Sequence, residues 1–236
     1  MSPEATAIPA AIDRDRRLPR GRHGMPQELV AEIQRDRLLA AAASAIAEQG
    51  YAALVVGDIT ARAQVSRATF YKLFEDKHDC VLASQRWAFD RLHRAIVDAT
   101  KSVADDADAA SDRDWPRAVG AGVAAALEFA VEFPGQARLV LASSHSPSEP
   151  KLARDGLAIY LRLVRLLRAG SRSHPGVLSP SEVTEQAAVG AAMSIVENCL
   201  TAGEPGALPE LKRDLVQIVL TPYLGGDEAG RIARAA

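Results

Sequence analysis

The side chains whose types and spacing suit one definite chemistry lie in residues 50–78, GYAALVVGDITARAQVSRATFYKLFEDKH. Two short helical patterns, 56–63 and 66–74, are separated there only by Gln64 and Val65, so the second helix must cross the first steeply. That is helix-turn-helix geometry, in which the second helix can enter a DNA major groove. On it Phe70 and Phe74 lie four apart beside Leu73 and should pack inward. Ser66 suits the N-cap, since its hydroxyl can accept from orphan backbone N–H groups of the first turn. Arg67, Ala68 and Thr69 then occupy the turn that meets base edges. The Arg67 guanidinium can grip guanine O6 and N7, and Thr69 can touch a thymine methyl. Tyr71, Lys72 and Lys77 are placed for phosphate oxygens, with Asp76 as cap of the following helix. Upstream, Arg20-Gly21-Arg22 reads either as a basic arm for a narrow minor groove or as a solvated tail.

The elements that must hold these residues are all helical. Alanine is abundant, aromatics make up 5% of the chain, and β-branched runs are scarce, which favours helix throughout. Residues 1–27 are rich in Pro, Ala and Arg without a period and are expected to be a disordered basic arm. The first helix is expected over 28–49, with Leu39, Ala42 and Ile46 inward and Gly50 as its C′ residue. A long helix should begin near Lys77 and run to about residue 102. Acidic and small residues over 101–114 read as a loop. Helices follow at about 115–133, 136–143 and 151–169, then 181–201 and 209–223, with residues 226–236 as a tail.

Residues 35–82 closely resemble the DNA-binding domain of the TetR family of transcriptional regulators. The matching positions are Leu38, Leu39, Ala42, Ile46, Gly50, Tyr51, Asp58, Ile59, Ala63, Val65, Ser66, Thr69, Phe70, Tyr71, Phe74 and Lys77. Beyond them the resemblance rests on length and helical layout. Two positions depart from the family pattern. Gln64 stands where Gly is usual, so a positive φ there would carry strain. Val55 stands where Ser or Thr usually caps the first motif helix, forfeiting about 1 kcal/mol.

The resemblance implies an all-α chain in two parts. Residues 28–76 would form a three-helix DNA-binding domain, and 77–225 a helical effector-binding and dimerisation domain. It also implies a homodimer reading a near-palindromic double-stranded operator, and a small-molecule effector of unknown identity whose binding releases a repressor. A cytoplasmic location is expected. Trp87, Phe129, Phe133, Tyr160 and Met193 are candidate pocket lining, against an ordinary-core reading for each. Glu197 and Asn198, polar groups in an apolar helix, need a partner, either a ligand or the dimer mate. The small residues Ala187, Ala188, Gly190, Ala191, Ala192 and Ser194, with Leu208, Leu211, Leu215 and Ile218, suit a four-helix dimer seam, or packing within one subunit.

Other signals point elsewhere only weakly. Net charge is −2, split as 11 basic and 10 acidic residues over 1–78 and 17 and 20 over 79–236. No general polyanion affinity follows. This gives footing to an alternative, a helical effector-binding dimer without functional DNA binding. Arg154, Arg162, Arg165 and Arg168 share one helical face and read as a solvated face rather than a second nucleic-acid site. Gly120 to Ala125 fits a loose G-x-G-x-x-A pattern, but no strand precedes it, so a helix interior is expected. Cys80 and Cys199 read as small apolar residues. The five histidines never fall at ligand spacing, and no HExxH, CxxC or GxSxG occurs. Neither a metal, a cofactor nor an enzymatic activity is expected. No apolar run approaches ~18 residues, so no membrane span is expected.

Overall fold

The computed structural model describes residues 26–105, 114–142, 150–172, 174 and 176–235. Within them the fold is entirely helical: α1 (Gln27–Ala53), α2 (Val56–Ala63), α3 (Arg67–Leu73), α4 (Lys77–Asp105), α5 (Asp114–Glu132), α6 (Pro134–Ala142), α7 (Pro150–Ser171), α8 (Glu182–Thr201), a 3₁₀ segment (Pro205–Leu211), α9 (Lys212–Leu224) and α10 (Gly226–Ala235). The proposed basic arm with Arg20 and Arg22, and most of the two acidic or Ser-Pro loops, lie outside the described residues.

The N-terminal unit closes on one core. Leu38, Leu39, Ala42 and Ala45 of α1 meet Ile59 and Ala63 of α2, Phe70 and Phe74 at α3, and Cys80 and Val81 of α4. Phe70 and Ile59 expose nothing to solvent. Gly50 breaks α1 as expected, with φ 77° and ψ 165°, and one further turn carries the chain to Ala53. Ser66 caps α3 through Thr69 N at 3.0 Å, and Asp76 caps α4 through Asp79 N at 2.8 Å.

Both ends of α2 break a local rule. Val55 offers no side-chain cap. In its place the Asp58 carboxylate reaches back to accept from Val55 N at 3.1 Å and from Gln49 Nε2 at 2.9 Å. The Val55 N–H, then the Gln49 amide, hold the Asp58 carboxyl below its ordinary range, with help from the charge of Arg62. At the other end Gln64 is left-handed, at φ 54° and ψ 41°. Its N–H donates to Ala61 O, and Val65 N donates to Thr60 O at 3.1 Å, closing the helix as a C-terminal left-handed residue does.

From this unit α4 runs into a second core, where Ala88, Phe89 and Leu92 pack with Leu127, Phe129 and Ala130 of α5, Val140 of α6, Ile159 of α7 and Leu200 of α8. The chain bends by 116° between α5 and α6. That bend brings Gly135 against α1: a Cβ there would stand 2.9 Å from Ser44 Cα, so only hydrogen fits. Ser84 Oγ donates to Leu39 O at 2.6 Å, fixing α4 to α1. Leu208 and Leu215, expected at a dimer seam, are buried within this subunit's core. Gly120 to Ala125 lies inside α5, as a helix interior.

Within the stretch expected as a tail, residues 226–235 form a helix. Gly225 turns the chain at φ 77°, and α10 lays Ala229 and Ala233 on Val216 and Leu220 of α9. Its buried face is built from alanine and glycine, too small to register as an apolar period. Among the described residues no single helix is long and apolar enough to cross a membrane.

Two outcomes follow for α2. Gln64→Gly relieves a left-handed side chain worth about 1 kcal/mol or more, partly offset by the freer unfolded chain. Urea denaturation should therefore show a gain of up to about 1 kcal/mol; a loss would mean that the glutamine side chain itself holds the turn. Because the Asp58 pKa is depressed in the fold, its contribution is present above the ordinary aspartate value of 3.8 and is lost as pH falls through the folded value. Asp58→Ala should thus be less stable than wild type near neutrality, and the gap should shrink below pH 3.8. A pH-independent gap would assign the loss to something other than the ionised cap.

Candidate nucleic-acid interface and apolar cavity

The core fixes which face of α3 is outward. With Phe70 and Phe74 buried, 5.6 Å apart between ring centroids, the helix presents Arg67, Ala68, Tyr71 and Lys72 to solvent. Tyr71 is 59% exposed although its ring edge packs on Phe70 at 5.3 Å. Tyr71 is therefore surface rather than core, unlike the two phenylalanines that pin the helix. Thr69 is half-buried, and its hydroxyl shares a hydrogen bond with Ser66 Oγ at 2.9 Å, which leaves its methyl as the group free of that bond. Arg67 lies over the start of α2: a Cβ on Gly57 would come within 3.0 Å of its Nη2. Sequence reasoning missed Gly57, whose lack of a side chain makes room for this guanidinium.

Lys77 plays a different part from the phosphate contact expected of it. Its ammonium donates to Leu54 O at 2.8 Å and Tyr51 O at 3.3 Å, and sits 4.6 Å from the Tyr51 ring centroid. It satisfies carbonyls at the end of α1, where a cation is favoured. Tyr51 in turn shares a hydrogen bond with His78 Nδ1 at 3.1 Å. Ser66, Arg67, Ala68, Thr69, Tyr71 and Lys72 thus share the start and outer face of α3, while half-buried Lys77 is bonded to carbonyls at the end of α1.

The second core encloses a cavity of about 380 Å³ between α4, α5, α6, α7, α8 and α9. This lies within the usual ~300–1,000 Å³ for small-molecule sites. Ile96, Val119, Val140, Leu163 and Val196 are typical of its wall, and the polar side chains among its lining residues are Thr100 and Trp115. Of the residues expected there, Phe129 and Met193 line it. The others are elsewhere. Trp87 and Phe133 stack on the Arg91 guanidinium, 4.9 and 4.0 Å from their ring centroids. Arg91 also donates to Gln136 Oε1 at 3.0 Å. Tyr160 donates to Gln186 O between α7 and α8. Glu197 is half-buried and Asn198 exposed on α8. Large aromatics drew attention in the sequence, whereas the cavity is walled by ordinary aliphatics and by Gly122, whose missing Cβ leaves Ile96 and Thr100 room at 3.3 Å. No sequence signal distinguishes such residues from core.

The arginine row of α7 is divided. Arg162 covers the Phe89 ring at 5.5 Å, Arg165 donates to Leu161 O in its own helix, and Arg168 is ion-paired to the buried Glu185. Arg154, Arg162 and Arg165 are exposed, so these three remain a solvated row, while Arg168 turns to its partner. Among the described residues no group of three or more His, Cys, Asp or Glu is placed to hold a metal ion.

Comparison with known proteins bears on the whole arrangement. Residues 38–84 match the family model of bacterial regulatory proteins, tetR family. No curated protein sequence matches the chain. Among solved structures, a TetR family transcription regulator from Marinobacter aquaeolei VT8 is similar at TM-score 0.63 and 20% identity, over 84% of this chain and 98% of that one. The fatty acid degradation regulator FadR from Bacillus halodurans is similar at 0.65 and 18%, over 79% and 94%. FadR from Bacillus subtilis, solved in complex with stearoyl-CoA, is similar at 0.62 and 15%, over 79% and 98%. Residues 38–84 therefore carry the DNA-binding domain pattern of bacterial regulatory proteins, tetR family, and the described fold as a whole is similar to that of solved TetR-family regulators.

Proposed function

We propose that this chain is a homodimeric, sequence-specific DNA-binding regulator whose operator affinity is lowered by an apolar small molecule held in the α4–α9 cavity, the sense of a repressor. The observation that carries the DNA half is the outward face of α3. Its backbone is fixed by two buried phenylalanines, yet a guanidinium, a phenol and an ammonium are spent on solvent. Arg67 would read a guanine and the Thr69 methyl a thymine, while Ser66, Tyr71 and Lys72 set register on phosphates. Two such helices about a two-fold axis would read grooves about 34 Å apart on a near-palindrome. Support for the dimer comes from α8, which exposes Ala187, Ala191, Ser194 and Asn198 along one face, beginning at Val183, 75% exposed. Small side chains there allow close approach of a second copy.

Wall chemistry supports an apolar effector. A cavity lined almost wholly by aliphatic and aromatic side chains rejects an ionised group, which would lose its hydration without a partner, and accepts a hydrocarbon chain. The structurally similar Bacillus subtilis regulator, solved with stearoyl-CoA, is consistent with that class. Effector binding can shift operator affinity by no more than its preference between the two states of the dimer.

The near-neutral N-terminal charge and the inward turn of Lys77 favour a second reading, an effector-binding dimer without functional DNA binding. Selection of bound sequences from random duplex DNA, with wild type and Arg67→Ala in parallel, decides between them. A near-palindrome enriched by wild type, with discrimination at one base pair lost in Arg67→Ala at a cost of about 1–3 kcal/mol, is the expected outcome. No enrichment by either protein at low salt would sink the DNA-reading function and leave the second reading.

A further inference from the structure

The apolar cavity does not end at a plain protein wall. A second, polar cavity of about 530 Å³, lined by Arg168, Arg172, His174, Glu182, Glu185 and Tyr223 among others, adjoins it through three helices at once. On α8, Val189 lines the apolar cavity and Glu185, four residues earlier, the polar one. On α9 the corresponding pair is Val219 and Tyr223, and on α7 it is Gly170 and its neighbour Ser171. One helical turn, about 5.4 Å, therefore separates hydrocarbon lining from polar lining on α8 and α9, and a single residue step does so on α7.

Trp115 is the partition. Its indole lines the apolar cavity and stacks toward the polar one, with its ring centroid 5.8 Å from that of His174 and 5.2 Å from that of Tyr223. It fits because residue 170 is glycine: a Cβ there would lie 2.4 Å from Trp115 Cδ1. The partition is thus a single side chain in the first turn of α5, not a helix.

Charge on the polar side is arranged around one buried carboxylate. Glu185 is 2% exposed; its Oε1 accepts from Tyr223 Oη at 2.8 Å and its Oε2 from Arg168 Nε at 2.6 Å. The interior acid is thereby neutralised and leaves little for a cationic guest. Glu182 is 64% exposed, 3.9 Å from Arg168, where water screens it. Arg172 stands exposed on the same cavity, a guanidinium suited to bidentate recognition of a carboxylate or phosphate.

We propose that the two cavities form one bipartite site for an anionic amphiphile, its hydrocarbon chain in the apolar cavity and its acidic head past Trp115 on Arg172. This rests on the apolar-effector reading above and deepens it, giving the ligand a head group of defined charge. A neutral chain of the same length occupies the first cavity alone, and a cationic one meets Arg168 and Arg172.

Titration calorimetry of the full-length protein with dodecanoate, dodecanol and dodecyltrimethylammonium, each below micelle formation, tests it with wild type and Arg172→Ala. The expected result is that dodecanoate binds about tenfold or more tighter than dodecanol, the worth of one charge-assisted hydrogen bond, and the cation weakest. Arg172→Ala, a surface change, should erase the dodecanoate advantage and leave dodecanol unchanged. Equal binding of acid and alcohol to wild type, preference for the cation, or a preference that survives Arg172→Ala overturns the head-group assignment while the apolar site stands. If none of the three chains binds, the apolar-effector reading falls and takes this proposal with it.

Discussion

A single uninterrupted helix buried in two separate cores governs the rest of the architecture. α4 spans 29 residues; Cys80 and Val81 belong to the core that seats α3, and Ala88, Phe89 and Leu92 to the core around the cavity. From Val81 to Ile96, on the cavity wall, is about 22 Å at 1.5 Å per residue. Close-packed interiors shift between discrete arrangements rather than deforming smoothly, so α4 cannot move at one end without being re-seated at the other. A second tie runs parallel to it. Ala137, Val140 and Leu141 of α6 face the cavity, while Gly135, at the start of the same helix, touches the Ser44 backbone of α1. On the proposed function these two rigid ties are what a ligand would act through.

α2 shows how tertiary structure overrides local preference. It lacks a capping hydroxyl at Val55 and ends on a left-handed glutamine, two costs that an isolated helix of eight residues could not sustain. The surrounding contacts supply what its sequence does not. Asp58 takes up the Val55 N–H, Gln49 of α1 donates to Asp58, and Arg62 reaches Glu48 at 2.8 Å. Ile59 and Ala63 are held in the core. The angle between α2 and α3, and so the direction in which Arg67 points, is therefore set by α1 as much as by the turn itself.

How far this was legible in the sequence depends on the kind of signal. Phe70 and Phe74 at a spacing of four, Ser66 and Asp76 as caps, Gly50 as a break and Gln64 at the turn all act locally, and each does in the structure what its chemistry dictated. The bonds of Lys77 to Leu54 O and Tyr51 O were not legible, because its position on the chain says nothing of carbonyls whose places are fixed by α1. Trp87, Phe133 and Tyr160, candidate lining weighed against ordinary core, stand off the cavity; its volume is defined by where Gly122, Val140 and Val196 leave space, a property of helix packing and of no single residue. α10 escaped notice because Ala229 and Ala233 carry so little apolar area. Leu208 and Leu215 had the right period for a seam, but a period does not say which of two partners it faces.

Glu185 is the least expected residue in the fold, and energetics alone do not account for it. Burying a carboxylate and a partner guanidinium costs several kcal/mol of desolvation, and well-packed hydrocarbon in their place is commonly as stable or more so. The neighbours one turn away on α8 and α9, Val189 and Val219, are hydrocarbon of that kind. Tyr223 is drawn in as well: burial first, then the hydrogen bond to Glu185, pushes its phenol well above the ordinary range, so it remains a donor. The result is a neutral, fully hydrogen-bonded cluster joining α7, α8 and α9 directly behind Trp115. An apolar plug there would have extended the hydrophobic cavity and left it closed and dry. A polar cluster instead halts the hydrocarbon lining at a defined depth and adjoins a polar cavity where Arg172 is exposed, the arrangement that the proposed amphiphile would use.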